Sequence, residues 1–132
     1  MAQTPRTLTL SLLTGRYAVA KLPAGVAIPE SATQGEFFSV TRTADELSLV
    51  TAERNVPAGA RVVEGWRVFK VHGSFEFSEV GVLASLTEPL ARENVAVFVV
   101  STFDTDYLLV REENLHPAIT AMQRASHQLL GI

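Results

Sequence analysis

Val95-Ala96-Val97-Phe98-Val99-Val100, then Ser101-Thr102-Phe103-Asp104-Thr105-Asp106, then Tyr107-Leu108-Leu109-Val110: this stretch decides the fold. The first run is the most continuous apolar run in the chain and has the length of a buried strand. It ends abruptly in hydroxyls and carboxylates, and a second apolar run follows. The stretch therefore predicts strand, turn, strand. Polar groups at the mouth of a buried strand commonly build a small-ligand pocket. That points to small-molecule sensing more than to catalysis.

Upstream, Leu83, Leu86 and Leu90 have the three-and-four spacing of a buried helical stripe, so residues 79–93 are expected to be helical. Glu79 would sit in the first turn, where the helix dipole favours an anion. Pro89 should bend the helix, and Asn94 should stop it. Before that helix, residues 66–72 read as a strand and Gly73–Ser78 as a loop. Downstream, Pro117 suits the first turn of a last helix, expected to run to about Leu130, with Ile119, Met122 and Leu129 apolar and Gly131 closing it. Strand, helix, strand, strand, helix lacks one strand of a ferredoxin-like βαββαβ unit, an α+β fold with an antiparallel sheet and helices on one face. The missing strand could come from the N-terminal half.

That half is rich in strand signals. Leu8, Leu10 and Leu12 alternate with Thr7, Thr9 and Ser11. Residues 17–22, 37–42 and 47–52 read as further strands. Residues 23–35 and 53–64, with their prolines and glycines, read as connectors. Thr43-Ala44-Asp45-Glu46 carries a capping-box pattern and suggests a turn or one helical turn.

With 132 residues, the chain suffices for one compact domain or two small modules. Hydrophobic residues make up 47% and charged residues 19%, so a core can form and part of the surface is a candidate for cover by a partner. The net charge of −3 and the absence of a basic stripe argue against nucleic acid and anionic membrane as partners. There are no cysteines, which excludes disulfides and thiolate chemistry. No run has the length of a membrane span, and residues 1–6 lack the apolar stretch of a secretion signal, so the expected location is cytoplasmic.

Individual residues carry alternatives. Asp106, a carboxylate at a strand end, suits an ammonium or a guanidinium; a turn aspartate bonding its own backbone is the plain alternative. Gly81 would admit a close ligand or serve tight helix packing. Ser74 could hydrogen-bond a ligand or simply cap its loop. Phe75 and Phe77 flank Glu76 and fit a pocket wall or a core plug. The three histidines have no metal-type spacing, and no phosphate loop, nucleophile elbow or zinc motif is present. No metal and no cofactor are expected.

Two stretches together, residues 36–50 and Ser101-Thr102-Phe103-Asp104-Thr105-Asp106 followed by Tyr107–Glu112, resemble the small prokaryotic ACT-domain proteins related to the animal cytosolic arginine sensors of the TOR pathway. The resemblance spans most of residues 36–122. It implies paired ACT-type modules, a degenerate one at 1–62 and a better formed one at 63–132, that bind amino acids without catalysis. It further implies a ligand held between the strand end, Ser101, Thr102, Phe103, Asp104 and Asp106, and the facing helix start, Glu79, Val80, Gly81 and Val82. The animal sensors are about twice as long, so a pocket internal to them would form here between two chains. The expected protein is a homodimer that binds an amino acid and alters association with a regulated protein partner. A pure protein-interaction module is the rival reading. A small acyl-phosphate hydrolase is a weaker one, because Gly73–Ser78 is acidic where a phosphate loop needs arginine.

Overall fold

The computed structural model describes residues 6–132. Residues 1–5, which begin the first expected module and the stretch read for a secretion signal, lie outside them. In chain order the elements are β1 (Thr9–Leu12), β2 (Tyr17–Leu22), β3 (Ser39–Arg42), β4 (Leu47–Ala52), β5 (Arg61–Val71), α1 (Ala84–Arg92), β6 (Phe98–Ser101), β7 (Asp106–Arg111), α2 (Leu115–Arg124) and β8 (Gln128–Leu130). They group into two compact units. One holds the described residues up to Thr14 together with Arg67–Ile132; the other is Gly15–Trp66. Strand β1 thus groups with the C-terminal segment, and β5 is shared. No helix is long and apolar enough to cross a membrane among the described residues.

In the first unit the strand order is β6-β7-β5-β1-β8. Strand β1 pairs antiparallel with β5, Leu10 opposite Val71, and parallel with β8, Leu10 opposite Leu129. The βαββαβ order is therefore complete within β5 to β8, and the N-terminal half adds β1 between the outer and inner strands. The expected helix to Leu130 is corrected here. Helix α2 ends at Arg124, and Gln128–Leu130 is the strand that the sequence reading lacked. Leu129 reaches the core from that strand.

Helices α1 and α2 bury their apolar stripes on one face of the sheet. Leu86, Leu90, Ala118, Ala121 and Met122 meet Leu10, Phe69, Val71, Leu108, Val110 and Leu129 in one cluster. Several of these side chains are fully buried; each contributes roughly 1.5–3 kcal/mol by leaving water.

The two helices end alike. Val95 N–H donates to Leu90 O (2.9 Å) and Asn94 N–H to Ala91 O (3.0 Å), with Asn94 at φ +60. His127 N–H donates to Met122 O (3.0 Å) and Ser126 N–H to Gln123 O (2.9 Å), with Ser126 at φ +72. These are αL caps that satisfy the last carbonyls. Pro89 lies inside α1, as expected. Lacking an N–H, it frees the carbonyl of Ser85 one turn earlier. His127 Nε2 fills that gap at 2.8 Å from Ser85 O. Leu8 N–H donates to His127 Nδ1 at 3.0 Å, so the proton of the ring sits on Nε2.

The Gly15–Trp66 unit has the order β3-β4-β2-β5, antiparallel throughout. Ala20, Ala32, Leu47 and Leu49 form its small core. Thr43 Oγ1 accepts from Asp45 and Glu46 N–H (both 3.1 Å), closing the expected turn. Arg42 holds the loop before it through the carbonyls of Ala24 and Val26. Residues 61–64, expected as connector, begin β5 instead.

Candidate functional site

The β6–β7 hairpin is closed by Ser101 opposite Asp106. Across its tip Thr102 N–H donates to Thr105 O (2.8 Å), and Thr105 N–H donates back to Thr102 Oγ1 (3.2 Å). Thr105, only 7% exposed, turns its hydroxyl inward and donates to Val71 O at 2.6 Å. This ties the tip to the end of β5. Phe75 N–H donates to Asp104 O (2.9 Å), drawing the 73–83 segment against the same tip. The strand mouth and the approach to α1 are thus joined by a backbone bond.

Between them lies a cleft of about 390 Å³, lined on one side by residues 75–77, 79 and 81–84 and on the other by residues 101–106. Its charged lining is Glu76, Glu79, Asp104 and Asp106, with no Lys, Arg or His. Phe77 and Phe103, each 77% exposed, meet edge to face with ring centroids 5.0 Å apart. Asp106 accepts from the Ser101 hydroxyl rather than from its own turn. That bond leaves its second carboxylate oxygen with no partner among the described residues. Glu79 lies 3.8 Å from Arg6, an exposed pair of small energetic weight.

The expected helix start needs correction. Helix α1 begins at Ala84; Glu79 and Val80 are irregular, Gly81 is a bend, and Val82 and Leu83 form a turn before it. Gly81 sits at φ +84, a conformation costly for other residues. A Cβ there would meet nothing within 4 Å, so helix packing is not the reason for glycine. The N–H groups of Gly81, Val82 and Leu83 find no acceptor among the described residues. They are the free donors of a helix entrance at the cleft wall, suited to a carboxylate.

Of the expected site residues, Glu79, Gly81, Val82, Ser101, Thr102, Phe103, Asp104 and Asp106 line this one cleft. Val80 is 83% exposed and lines a neighbouring cleft instead. Ser74 is exposed and is not part of this lining. Thr105 was missed; a hydroxyl aimed into the core leaves no mark in a polar hexapeptide. Phe75 and Phe77 divide the two readings offered for them. Phe75 packs on the core and also lines the cleft, and Phe77 stands exposed at the cleft.

Comparison with known proteins bears on the family and the fold. An ACT-domain family model matches residues 61–124, and a second family model, of an N-terminal domain, matches residues 15–59. The rat protein "Cytosolic arginine sensor for mTORC1 subunit 1" is 33% identical over 104 residues, 71% of this chain and 31% of that protein. The human "Putative protein CASTOR3P" is 31% identical over 103 residues, 68% of this chain and 63% of that protein. The chain therefore spans less than two thirds of these relatives. A crystal structure of an Agrobacterium tumefaciens protein superimposes with a TM-score of 0.89 at 43% identity, covering 95% of this chain and 93% of that one. The regulatory subunit of aspartate kinase from Thermus thermophilus shares the fold, with a TM-score of 0.64 at 11% identity over 92% of this chain and 99% of that one. The chain belongs to the ACT-domain proteins, in a family related to the cytosolic arginine sensors.

Proposed function

We propose that this protein is a non-catalytic amino-acid sensor whose cleft takes an amino acid with a cationic side chain. The carrying observation is the lining. Glu76, Glu79, Asp104 and Asp106 face one small cleft whose lining holds no base, Arg6 meeting only Glu79 from outside that lining, and free backbone donors stand at its wall. A carboxylate and a guanidinium pair in a fork, so Asp106 and its neighbours suit the charged end. The N–H groups before α1 suit the ligand's own carboxylate. Phe77 and Phe103 suit its methylene stem. The relatives' printed name, an arginine sensor, supports the same class.

In this reading residues 1–62 make a degenerate first module and residues 63–132 the binding module. A second copy of the chain covers the exposed aromatic pair, which makes the working form a homodimer. Ligand then shifts the population of dimer states and alters the association of a regulated protein partner in the cytoplasm.

The test is calorimetric titration with arginine, lysine, leucine and glutamate. The sensor reading expects heat for the cationic amino acids and little for the others. It also expects agmatine, which lacks the carboxylate, to bind more weakly than arginine. The exposed Phe77, Val80 and Phe103 favour a second reading, an interaction module that has lost its ligand. Silence toward all twenty amino acids would select that reading.

A further inference from the structure

A second and larger cleft, about 640 Å³, opens along α1 and the end of α2, and its charge is opposite to that of the first. Arg6, Arg92 and Arg124 line it, and Glu88 is the sole acidic residue of the lining; Arg6 is shared with Glu79 at 3.8 Å, so Arg92 and Arg124 carry the argument. The chain as a whole carries −3, so this local excess of cations is not a reflection of bulk composition. Arg92 and Arg124 occupy the last turns of two different helices. The negative ends of the helix dipoles favour cations there, but that effect does not require two helices to aim their arginines into one cleft. Neither guanidinium has a hydrogen bond or ion pair among the described residues. The floor is rigid. His127 is held on both ring nitrogens, and Ser126 before it is fixed in the αL conformation by the helix cap.

Guanidinium groups present paired N–H donors that match the oxygens of phosphate or carboxylate. The volume lies within the range of pockets for metabolite-sized ligands. We propose that this cleft is a second binding site, for a small anion carrying several phosphate or carboxylate charges. It does not rest on the amino-acid reading of the first cleft.

The test is titration of the full chain with pyrophosphate, adenosine triphosphate and citrate at low and at moderate salt. The arms separate phosphate from carboxylate ligands. Binding is expected for at least one of them and should weaken steeply with salt. The Arg92→Ala/Arg124→Ala double variant should lose at least about tenfold in affinity, given the strength of charge-assisted bonds. The Arg92→Lys/Arg124→Lys variant should retain part of it. An Asp106→Asn variant should bind the anion as the parent does. Both arginines are exposed, and circular dichroism of each variant checks that folding is kept. No heat with any of the three anions at low salt overturns the proposal. So does a loss in the double-alanine variant no greater than in an Arg61→Ala/Lys21→Ala control, which would reveal diffuse charge attraction only.

Discussion

Asp106 shows how one side chain can be both structural and available. One of its oxygens takes the Ser101 hydroxyl, and that bond closes the hairpin. The other is free for a cation. Asp106→Asn keeps the shape and the acceptor for Ser101 but removes the charge, so the fold should survive and cationic binding should fall. Gly81 makes the opposite case. Its surroundings are open, but its φ is +84, so Gly81→Ala should destabilise the protein by about 1–2 kcal/mol through backbone strain alone. Chemical denaturation of the variant reads this directly. At Gly73, with φ +153, a Cβ would also lie 2.6 Å from the Phe75 ring, so there a steric obstacle adds to the backbone strain. Glu53, in the Gly15–Trp66 unit, carries a pH signature. Burial pushes its carboxyl up, but the Arg16 hydrogen bond at 3.0 Å, the Gly65 N–H at 2.7 Å and the Arg16 charge outweigh this, and the net shift is downward. A depressed carboxyl contributes stability that is present above its unfolded value and is lost as pH falls through the folded value. Glu53→Gln should therefore cost up to about 1 kcal/mol near neutrality, the pair being partly exposed, and nothing at strongly acidic pH. Denaturation midpoints of parent and variant measured across the acid range should converge; a constant gap would contradict this.

Among the elements, the helix ends explain what could be read in advance and what could not. Asn tolerates the αL conformation, so Asn94 announced the end of α1. Ser126 does the same work for α2, yet serine gives no such sign, and Leu129 kept the apolar spacing going. The last strand was therefore hidden inside an apparent helix. Ser126→Gly should stabilise the protein by up to about 1 kcal/mol, and Asn94→Gly by less, in urea titrations. Pro89 and His127 are also linked across elements. His127→Phe strands the Ser85 carbonyl and the Leu8 N–H, and should cost roughly 2–5 kcal/mol. Adding Pro89→Ala restores an N–H within reach of Ser85 O, so the double variant should be less unstable than the sum of the two single changes. A strictly additive cycle would show that Pro89 and His127 are not coupled. The start of β5 was illegible for a different reason. Arg61 to Glu64 is largely exposed, Gly65 takes φ +81, and the pairing with β2 shifts register there. A strand that buries little and breaks its ladder leaves little hydrophobic pattern.

For the molecule as a whole, the residues facing each other across the first cleft came from the family resemblance, whereas local sequence carried the hairpin and the helical stripes, because each depends on neighbours in the chain. It did not carry the place of β1 between β5 and β8, which joins residues more than a hundred positions apart. Nor did it show the arginine-lined cleft, whose cations come from separate helices. Both clefts lie in the unit that contains most of the ACT-domain match, one acidic and one basic. An amino acid bound in the first at one hundred times its dissociation constant adds about 2.7 kcal/mol to stability, enough to move a thermal midpoint by several degrees. The decisive measurement is that midpoint with saturating arginine, for the parent and for Asp106→Asn. The parent should rise and the variant should not. A parent that stays unmoved, or a variant that rises equally, would contradict the acidic cleft as the sensing site.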